Sequence, residues 1–152
     1  MSLIAIGLAA ALNITAAPAD AEDKAVLATT QAFFDGLEAA DPVAMRAAAL
    51  PNIPMMALST KPDGTVDVRR FGFEDSFGKK VAPGLKEWMW SPVVVRRGAL
   101  ATVTGPFEIA REGKTVHCGV NVFTLAKTEG AWKVASVSWT AEPDACPELR
   151  KR

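Results

Sequence analysis

Residues 100–140 read LATVTGPFEIAREGKTVHCGVNVFTLAKTEGAWKVASVSWT, and this stretch decides the fold. Three runs rich in β-branched and aromatic side chains, 100–110, 115–125 and 132–140, are separated by short, glycine-containing turns. Turns this short join strands that run in opposite directions. The stretch therefore predicts a meander of three long antiparallel strands.

The residues before this meander predict helices first and shorter strands next. Apolar side chains recur at helical spacing from Glu22 onward, and Asp41-Pro42 supplies an N-cap followed by a first-turn proline. The predicted elements are helices at 22–40, 42–50 and 74–81 and strands at 53–59, 65–71 and 93–97. Helices followed by a run of antiparallel strands are typical of the α+β class.

The first 21 residues predict a signal peptide and hence a periplasmic or secreted protein. They form an apolar, alanine-rich run too short to span a bilayer, and Ala19 and Ala21 give the small-x-small pattern that signal peptidase accepts before Glu22. No lysine or arginine precedes Lys24, so the usual basic beginning is absent, and an ordinary N-terminal helix is the alternative. The expected segments are a signal peptide at 1–21, a domain at 22–142 and a C-terminal tail at 143–152.

The charge balance argues against polyanionic partners. Seventeen lysines and arginines face seventeen aspartates and glutamates, so the formal net charge is zero. A protein that binds nucleic acid or an anionic membrane surface usually carries a basic excess. The basic residues at 150–152 are too few to change this, and we expect a solvated tail there and no membrane insertion after the signal peptide is removed.

Two cysteines, Cys118 and Cys146, are compatible with an exported protein. An oxidising compartment would allow them to pair and tie the C-terminal segment to the sheet, and two unrelated thiols are the alternative. The sequence contains no C-x-x-C, no cluster with metal-ligand spacing and no nucleotide-binding fingerprint. We therefore expect neither a metal nor a cofactor.

Several short motifs in the meander occur together in one superfamily. They are TVTGPFEI at 102–109, GK at 113–114, HCGV at 117–120, FTL at 123–125 and GAWKV at 130–134. In this order they resemble the exported SnoaL-like and lumazine-binding members of the nuclear transport factor 2-like superfamily, over about residues 22–141. The resemblance implies a cone-shaped roll, in which about three N-terminal helices cover a strongly bent, mixed but mostly antiparallel sheet.

Both faces of the sheet require a cover. On the strand at 115–125, alternation places His117 and Asn121 on one face and Val120 and Val122 on the other, and neither face is clearly made for solvent. The long helix can cover one face. In the superfamily a second subunit often covers the other, so we predict a homodimer.

The best candidate residues for a ligand pocket lie on the face that carries His117 and Asn121. Histidine can shuttle protons near neutral pH, asparagine can orient a carbonyl or amide group, and Gly119 between them leaves room for a ligand. The alternative is a histidine with a structural hydrogen bond. The aromatic candidates for contact with an apolar ligand are Phe107, Trp90 and Trp139.

The resemblance does not carry a known catalytic set into this chain. Ketosteroid isomerase-like members need tyrosine, and scytalone dehydratase-like members need tyrosine and two histidines, whereas this sequence has no tyrosine and only His117. The expected function is an exported domain that binds a small apolar molecule or serves as an accessory protein. One alternative is an isomerase, dehydratase or cyclase with His117 as acid or base, Asn121 as orienting group and Glu108 as partner. The second alternative is a protein-interaction module.

Overall fold

The computed structural model of the protein describes residues 20–151, so the predicted signal peptide lies outside the described residues except for Asp20 and Ala21. The helices are α1 (Ala21–Glu38), α2 (Pro42–Ala48), α3 (Phe73–Ser76) and α4 (Cys146–Leu149). Asp20 caps α1 by accepting a hydrogen bond from the Asp23 amide at 2.8 Å, and Asp41 caps α2 in the same way. Helix α1 therefore begins one residue before the predicted domain boundary.

Seven strands form one sheet. They are β1 (Pro54–Thr60), β2 (Val66–Gly72), β3 (Leu85–Met89), β4 (Val93–Arg97), β5 (Leu100–Arg111), β6 (Lys114–Thr128) and β7 (Ala131–Thr140). The order is β2-β1-β7-β6-β5-β3, and β4 pairs with the other half of β5. Only β1 and β7 run parallel; the remaining pairs are antiparallel. The predicted α+β class with a mixed, mostly antiparallel sheet is confirmed.

Helix α1 packs on the inner face of the sheet and contributes Val26, Phe33, Phe34 and Leu37 to the core. The rings of Phe33 and Phe34 contact the ring of Phe123 on β6 edge to face, with centroids 6.0 and 5.3 Å apart. Such pairs stabilise a core beyond the area that they bury. Helix α2 lies close beneath α1 because Gly36 has no side chain: a Cβ there would come within 2.8 Å of Met45.

Two elements differ from the prediction. The third helix ends at Ser76 rather than near residue 81, and a Cβ at Gly78 would lie 2.7 Å from the backbone oxygen of Glu74. Strand β3 was missed altogether, because the sequence LKEWM carries charged residues at its second and third positions. Its pairing with β5 extends the inner face of the sheet by one strand.

The C-terminal segment is packed against the sheet, unlike the solvated tail that the sequence predicted. Cys118 and Cys146 form a disulfide with an S–S distance of 2.07 Å, which joins α4 to β6. Leu149 is buried beside it, and the guanidinium of Arg150 binds both oxygens of Glu108 at 2.9 and 2.6 Å. Leu149 and Arg150 therefore belong to the folded domain.

Outside the area that α4 covers at Cys118, the outer face of the sheet carries no helix among residues 20–151 and has few charges at its centre. We define this outer face by two cross-strand rows, Val93–Thr104–Val122–Ser138 and Val95–Thr102–Thr124–Ser136. Val93 and Val95 are 61% and 66% exposed.

Among residues 20–151 no helix is long and apolar enough to cross a membrane.

Candidate functional site

A cavity of about 100 Å³ lies between α1 and the inner face of the sheet. Its wall is mainly apolar, and three polar side chains contribute to it: Glu87, His117 and Asn121. The apolar lining consists of Phe33, Phe34, Leu37, Met45, Met55, Phe77, Leu85, Phe107, Ile109, Phe123, Val137 and Trp139. A mostly apolar cavity with a few convergent polar groups is the usual form of a small-molecule site.

Strand register explains why these polar groups share one wall. Glu87 on β3 is paired with Ile109 on β5, and Ile109 is paired with His117 on β6. These three side chains therefore lie in one row on the inner face. Asn121 is four residues beyond His117, so the alternation of the strand returns it to the same face, opposite Trp139 on β7.

Glu87 is the most perturbed titratable group of the cavity. The amide Nδ2 of Asn121 donates a hydrogen bond to its Oε1 at 2.6 Å. Burial of the carboxyl group raises its pKa from 4.5 to about 7, although the bond from Asn121 acts in the opposite direction. At neutral pH this carboxyl group therefore exchanges readily between its acid and its carboxylate forms.

The second oxygen of Glu87 is accessible from the cavity. Among residues 20–151, no buried side-chain nitrogen or oxygen lacks a hydrogen-bond partner. Within this part of the chain Oε2 of Glu87 has no hydrogen-bond partner, so Oε2 is not fully buried, and Glu87 lines the cavity. This oxygen is thus free to meet a polar group of a ligand.

His117 lies in the same wall in an apolar setting. Its ring meets the ring of Phe107 edge to face, with centroids 5.5 Å apart, and its Nδ1 is 3.4 Å from the carbonyl oxygen of Cys118. Partial burial lowers its pKa below 6.5, against the weaker opposing effect of that carbonyl. The imidazole is therefore neutral at pH 7. Because a carbonyl oxygen can only accept, this contact favours the tautomer with the proton on Nδ1, in which Nε2 is an acceptor.

The structure brings four of the predicted ligand-binding residues into the cavity wall. His117, Asn121, Phe107 and Trp139 all line it. Trp90 does not, because it lies beyond the end of β3 and packs against the disulfide, where its Nε1 donates to the carbonyl of Leu149 at 3.2 Å. The assignment of Trp90 to the ligand site therefore does not agree with its position.

Glu108, the predicted acid–base partner of His117, faces away from the cavity. It pairs with Cys118 across the sheet, and alternation sends its side chain to the side opposite Phe107 and Ile109. Burial alone would raise the pKa of Glu108, but hydrogen bonds from Arg150 and Thr115 outweigh it and hold the pKa below its ordinary value. The carboxyl group that shares the cavity with His117 is Glu87.

Gly119 has a different role from the one predicted. A Cβ at this position would lie 1.9 Å from the carbonyl oxygen of Thr140, where the end of β7 approaches β6 closely. Only glycine allows this approach. The residue is thus required by strand packing rather than by the space that a ligand needs.

Sequence reasoning missed Glu87 because it missed β3. The alternation of LKEWM does contain the signal: Leu85, Glu87 and Met89 lie on one face, while Lys86 and Trp88 lie on the other. In the structure the inner face is that of Leu85, Glu87 and Met89, and Trp88 is exposed.

No group of three or more histidine, cysteine, aspartate or glutamate residues within 20–151 is arranged to hold a metal ion. The cavity itself contributes one carboxyl group, one imidazole and one amide. What these groups can do is accept or donate hydrogen bonds and exchange a proton near neutral pH.

Comparison with known proteins identifies the fold. No family model and no curated protein sequence matches the chain. Solved structures do match: a nuclear transport factor 2-like protein of unknown function from Shewanella baltica OS155 has a TM-score of 0.57 and 18% identity, over 81% of this chain and 95% of that one. A protein of unknown function with a cystatin-like fold, from Nostoc punctiforme PCC 73102, has a TM-score of 0.61 and 14% identity, over 82% of this chain and 95% of that one.

A third structure agrees with these two. It is a nuclear transport factor 2 superfamily protein from Salmonella enterica serovar Typhimurium LT2, with a TM-score of 0.56 and 16% identity, over 80% of this chain and 94% of that one. Identities this low are informative about the fold and not about activity. The chain thus has the nuclear transport factor 2-like fold that its strand motifs resemble.

Proposed function

We propose that this is an exported protein that binds a small, largely apolar molecule carrying one polar group. The observation that carries the proposal is the cavity itself, whose apolar wall is interrupted by Glu87, Asn121 and His117. Apolar contacts supply affinity in such a site, and the few polar groups fix the orientation of the ligand.

The size of the cavity limits the ligand. Its volume is about 100 Å³. An engineered apolar cavity of about 150 Å³ in another protein is large enough for benzene. The natural ligand is therefore about the size of a single ring or a short branched chain. Larger ligands require movement of the partly buried Phe77 and Leu85, which belong to the cavity wall.

Export is supported by the N-terminal sequence and by the disulfide. A disulfide between Cys118 and Cys146 persists in the periplasm or outside the cell, whereas the cytosol keeps thiols reduced. It joins a strand of the sheet to the C-terminal helix, so the bond has a structural role in the folded domain. An oxidising compartment would preserve this bond and with it the attachment of α4 to the sheet.

Binding of cyclopentanol tests the proposed function. This molecule has one apolar ring and one hydroxyl group, and we expect saturable binding by calorimetry with a Kd of about 1 mM or lower. Replacing Leu85 by tryptophan should abolish this binding, because the larger side chain fills part of the cavity. Conversion of cyclopentanol to another compound would indicate an enzyme.

The matched control is Lys86→Trp, which places the same side chain on the opposite face of β3. It removes only an exposed ion pair with Glu38, worth about 0–1 kcal/mol. Lys86→Trp should bind like the unchanged protein. Binding that survives in a folded Leu85→Trp variant, or no binding in the unchanged protein, contradicts the proposal.

A second candidate function is proton-transfer catalysis. It is favoured by one observation, the presence of two titratable groups, Glu87 and His117, in the same apolar wall. Burial raises the pKa of Glu87 to about 7, near the pH at which acid–base catalysts work best, and lowers the pKa of His117, so that the imidazole is neutral and can accept a proton. Glu87 takes the place that the sequence reading had assigned to Glu108.

Self-association through the outer face is the third part of the proposal. The outer face combines exposed valines with short hydroxyl side chains, and the described residues place no element over it. We expect a mass of twice the chain mass by light scattering. Val122→Lys, at the centre of the outer face, should give a monomer, while Val43→Lys on α2 should not. A monomeric unchanged protein at micromolar concentration contradicts this part.

A further inference from the structure

We propose that the cavity selects a small organic cation, a protonated amine on a ring or a short branched chain. This inference rests on the proposed function, because it specifies the polar group of the ligand that the cavity binds. The geometry behind it is an apolar, aromatic-lined cavity that contains one carboxylate without a positively charged partner.

The charge of Glu87 is uncompensated. Among residues 20–151, its hydrogen-bond partner is the neutral amide of Asn121, and no lysine or arginine lines the cavity. The other titratable group of the wall is His117, which is neutral at pH 7. Folding has thus already removed part of the water around a carboxylate that has no cationic partner, so binding of an amine costs mainly the hydration of the amine.

Most of the free hydrogen-bonding atoms of the wall are acceptors. Oε2 of Glu87 accepts when ionised, and Nε2 of His117 accepts when Nδ1 carries the proton towards the Cys118 carbonyl. Asn121 donates one N–H of Nδ2 to Glu87 and keeps its second N–H as a donor, while its Oδ1 is a further acceptor. An ammonium group is a donor only, so it matches such a wall better than a hydroxyl group and far better than a carboxylate.

The apolar part of the wall is also suited to a cation. Six of its side chains are aromatic: Phe33, Phe34, Phe77, Phe107, Phe123 and Trp139. Aromatic rings attract cations through their quadrupole and, in desolvated sites, contribute to the recognition of organic ammonium groups. A wall of aromatic rings around a single carboxylate therefore binds the ring and the charge of one molecule together.

Binding should be linked to the protonation of Glu87. Burial raises the pKa of this group to about 7, and a bound ammonium would lower it again because it favours the carboxylate. Amine affinity should therefore be highest above pH 7 and fall as the pH decreases, since a proton then competes for Glu87. His117 becomes positively charged only at lower pH, where it would weaken amine binding further.

Three ligands of the same ring size test the inference by calorimetry at pH 8: cyclopentylamine, cyclopentanol and cyclopentanecarboxylate. We expect the amine to bind at least about tenfold more tightly than the alcohol, because a charge-assisted hydrogen bond is about twice as strong as a neutral one. The carboxylate should bind least. Glu87→Gln should abolish the preference for the amine and retain binding of the alcohol, since the amide keeps the shape of the side chain.

The matched control is Glu129→Gln, which removes a carboxylate from the exposed turn between β6 and β7 and should keep the preference. Equal or tighter binding of the alcohol or the carboxylate in the unchanged protein overturns the inference but leaves the proposed function intact. An amine preference that persists in Glu87→Gln also overturns it, because the cation would then bind elsewhere. Failure of all three ligands to bind removes the proposed function itself.

Discussion

Replacing Glu87 by glutamine is expected to stabilise the protein at pH 8 and to leave its stability unchanged at pH 4. The pKa of Glu87 is raised from 4.5 to about 7 by burial in the cavity wall. A shift of this size corresponds to about 3 kcal/mol of unfolding free energy. Glutamine is uncharged at every pH and avoids this cost.

The unfolding free energy depends on pH because the folded and unfolded chains bind different numbers of protons at Glu87. Below pH 4.5 the carboxyl group is protonated in both the folded and the unfolded chain, and it contributes nothing to the pH dependence. Between pH 4.5 and about 7 the unfolded chain has released this proton and the folded protein has not, so stability falls as the pH rises. Above about pH 7 Glu87 is ionised in both states, and the full decrease in stability remains.

Urea unfolding of the unchanged protein and of Glu87→Gln at several pH values measures this effect. The difference in unfolding free energy should grow between pH 4.5 and 7 and then level off. Glu129→Gln serves as the control for removal of an exposed carboxylate and should show no such growth. A difference that does not depend on pH would mean that the Glu87 carboxyl group is solvated and titrates normally.

Loss of the disulfide is expected to destabilise the protein by about 3 to 4 kcal/mol in the chain-entropy model. Cys118 and Cys146 are 28 residues apart in the chain, and the bond closes this loop. Without it, α4 is held to the sheet by burial of Leu149 and by the ion pair of Arg150 with Glu108. Arg150 is about half exposed in that pair, so the ion pair replaces little of the lost restraint.

Thermal unfolding of Cys146→Ser should show a decrease in Tm of roughly 10 °C. A reducing agent should lower the Tm of the unchanged protein by a similar amount and should not affect Cys146→Ser, which is the internal control. Protein made in a reducing cytosol should carry two free thiols and behave like the variant. Equal stability of the oxidised and reduced proteins would show that the bond does not support the domain.

The meander and its inner face could be predicted from the sequence because the strands are long and their alternation is regular. Alternation placed His117 and Asn121 on one face, and Phe107 and Trp139 were predicted as aromatic ligand contacts; in the structure all four line one cavity. Short turns between long strands allow one pairing register between neighbouring strands, because a shift by one residue would expose the core side chains. Local pattern and tertiary packing therefore agree over this part of the chain.

Glu87 could not be found because its strand is short and its pattern contradicts its location. In LKEWM the inner face carries a glutamate and the outer face a tryptophan, the reverse of the usual arrangement. Pairing with β5, rather than local sequence preference, makes these residues a strand. Such conflicts between local pattern and fold are expected at functional sites.

Glu108 and the C-terminal segment depended on contacts that are distant in sequence. Glu108 is buried because Arg150 reaches it from 42 residues away, and α4 is held by the disulfide to β6. Neither contact leaves a periodic pattern in the sequence. The sequence pattern also does not show why position 119 must be glycine, because the reason is the close approach of the Thr140 backbone from another strand.

A crystal structure of the protein grown with cyclopentanol tests most directly whether the cavity is a ligand site. We predict density for the ring between α1 and the inner face, with the hydroxyl oxygen about 2.5 to 3.0 Å from Oε2 of Glu87. A cavity closed by repacking of its aromatic side chains, or cyclopentanol bound only at the protein surface, would contradict the proposed function.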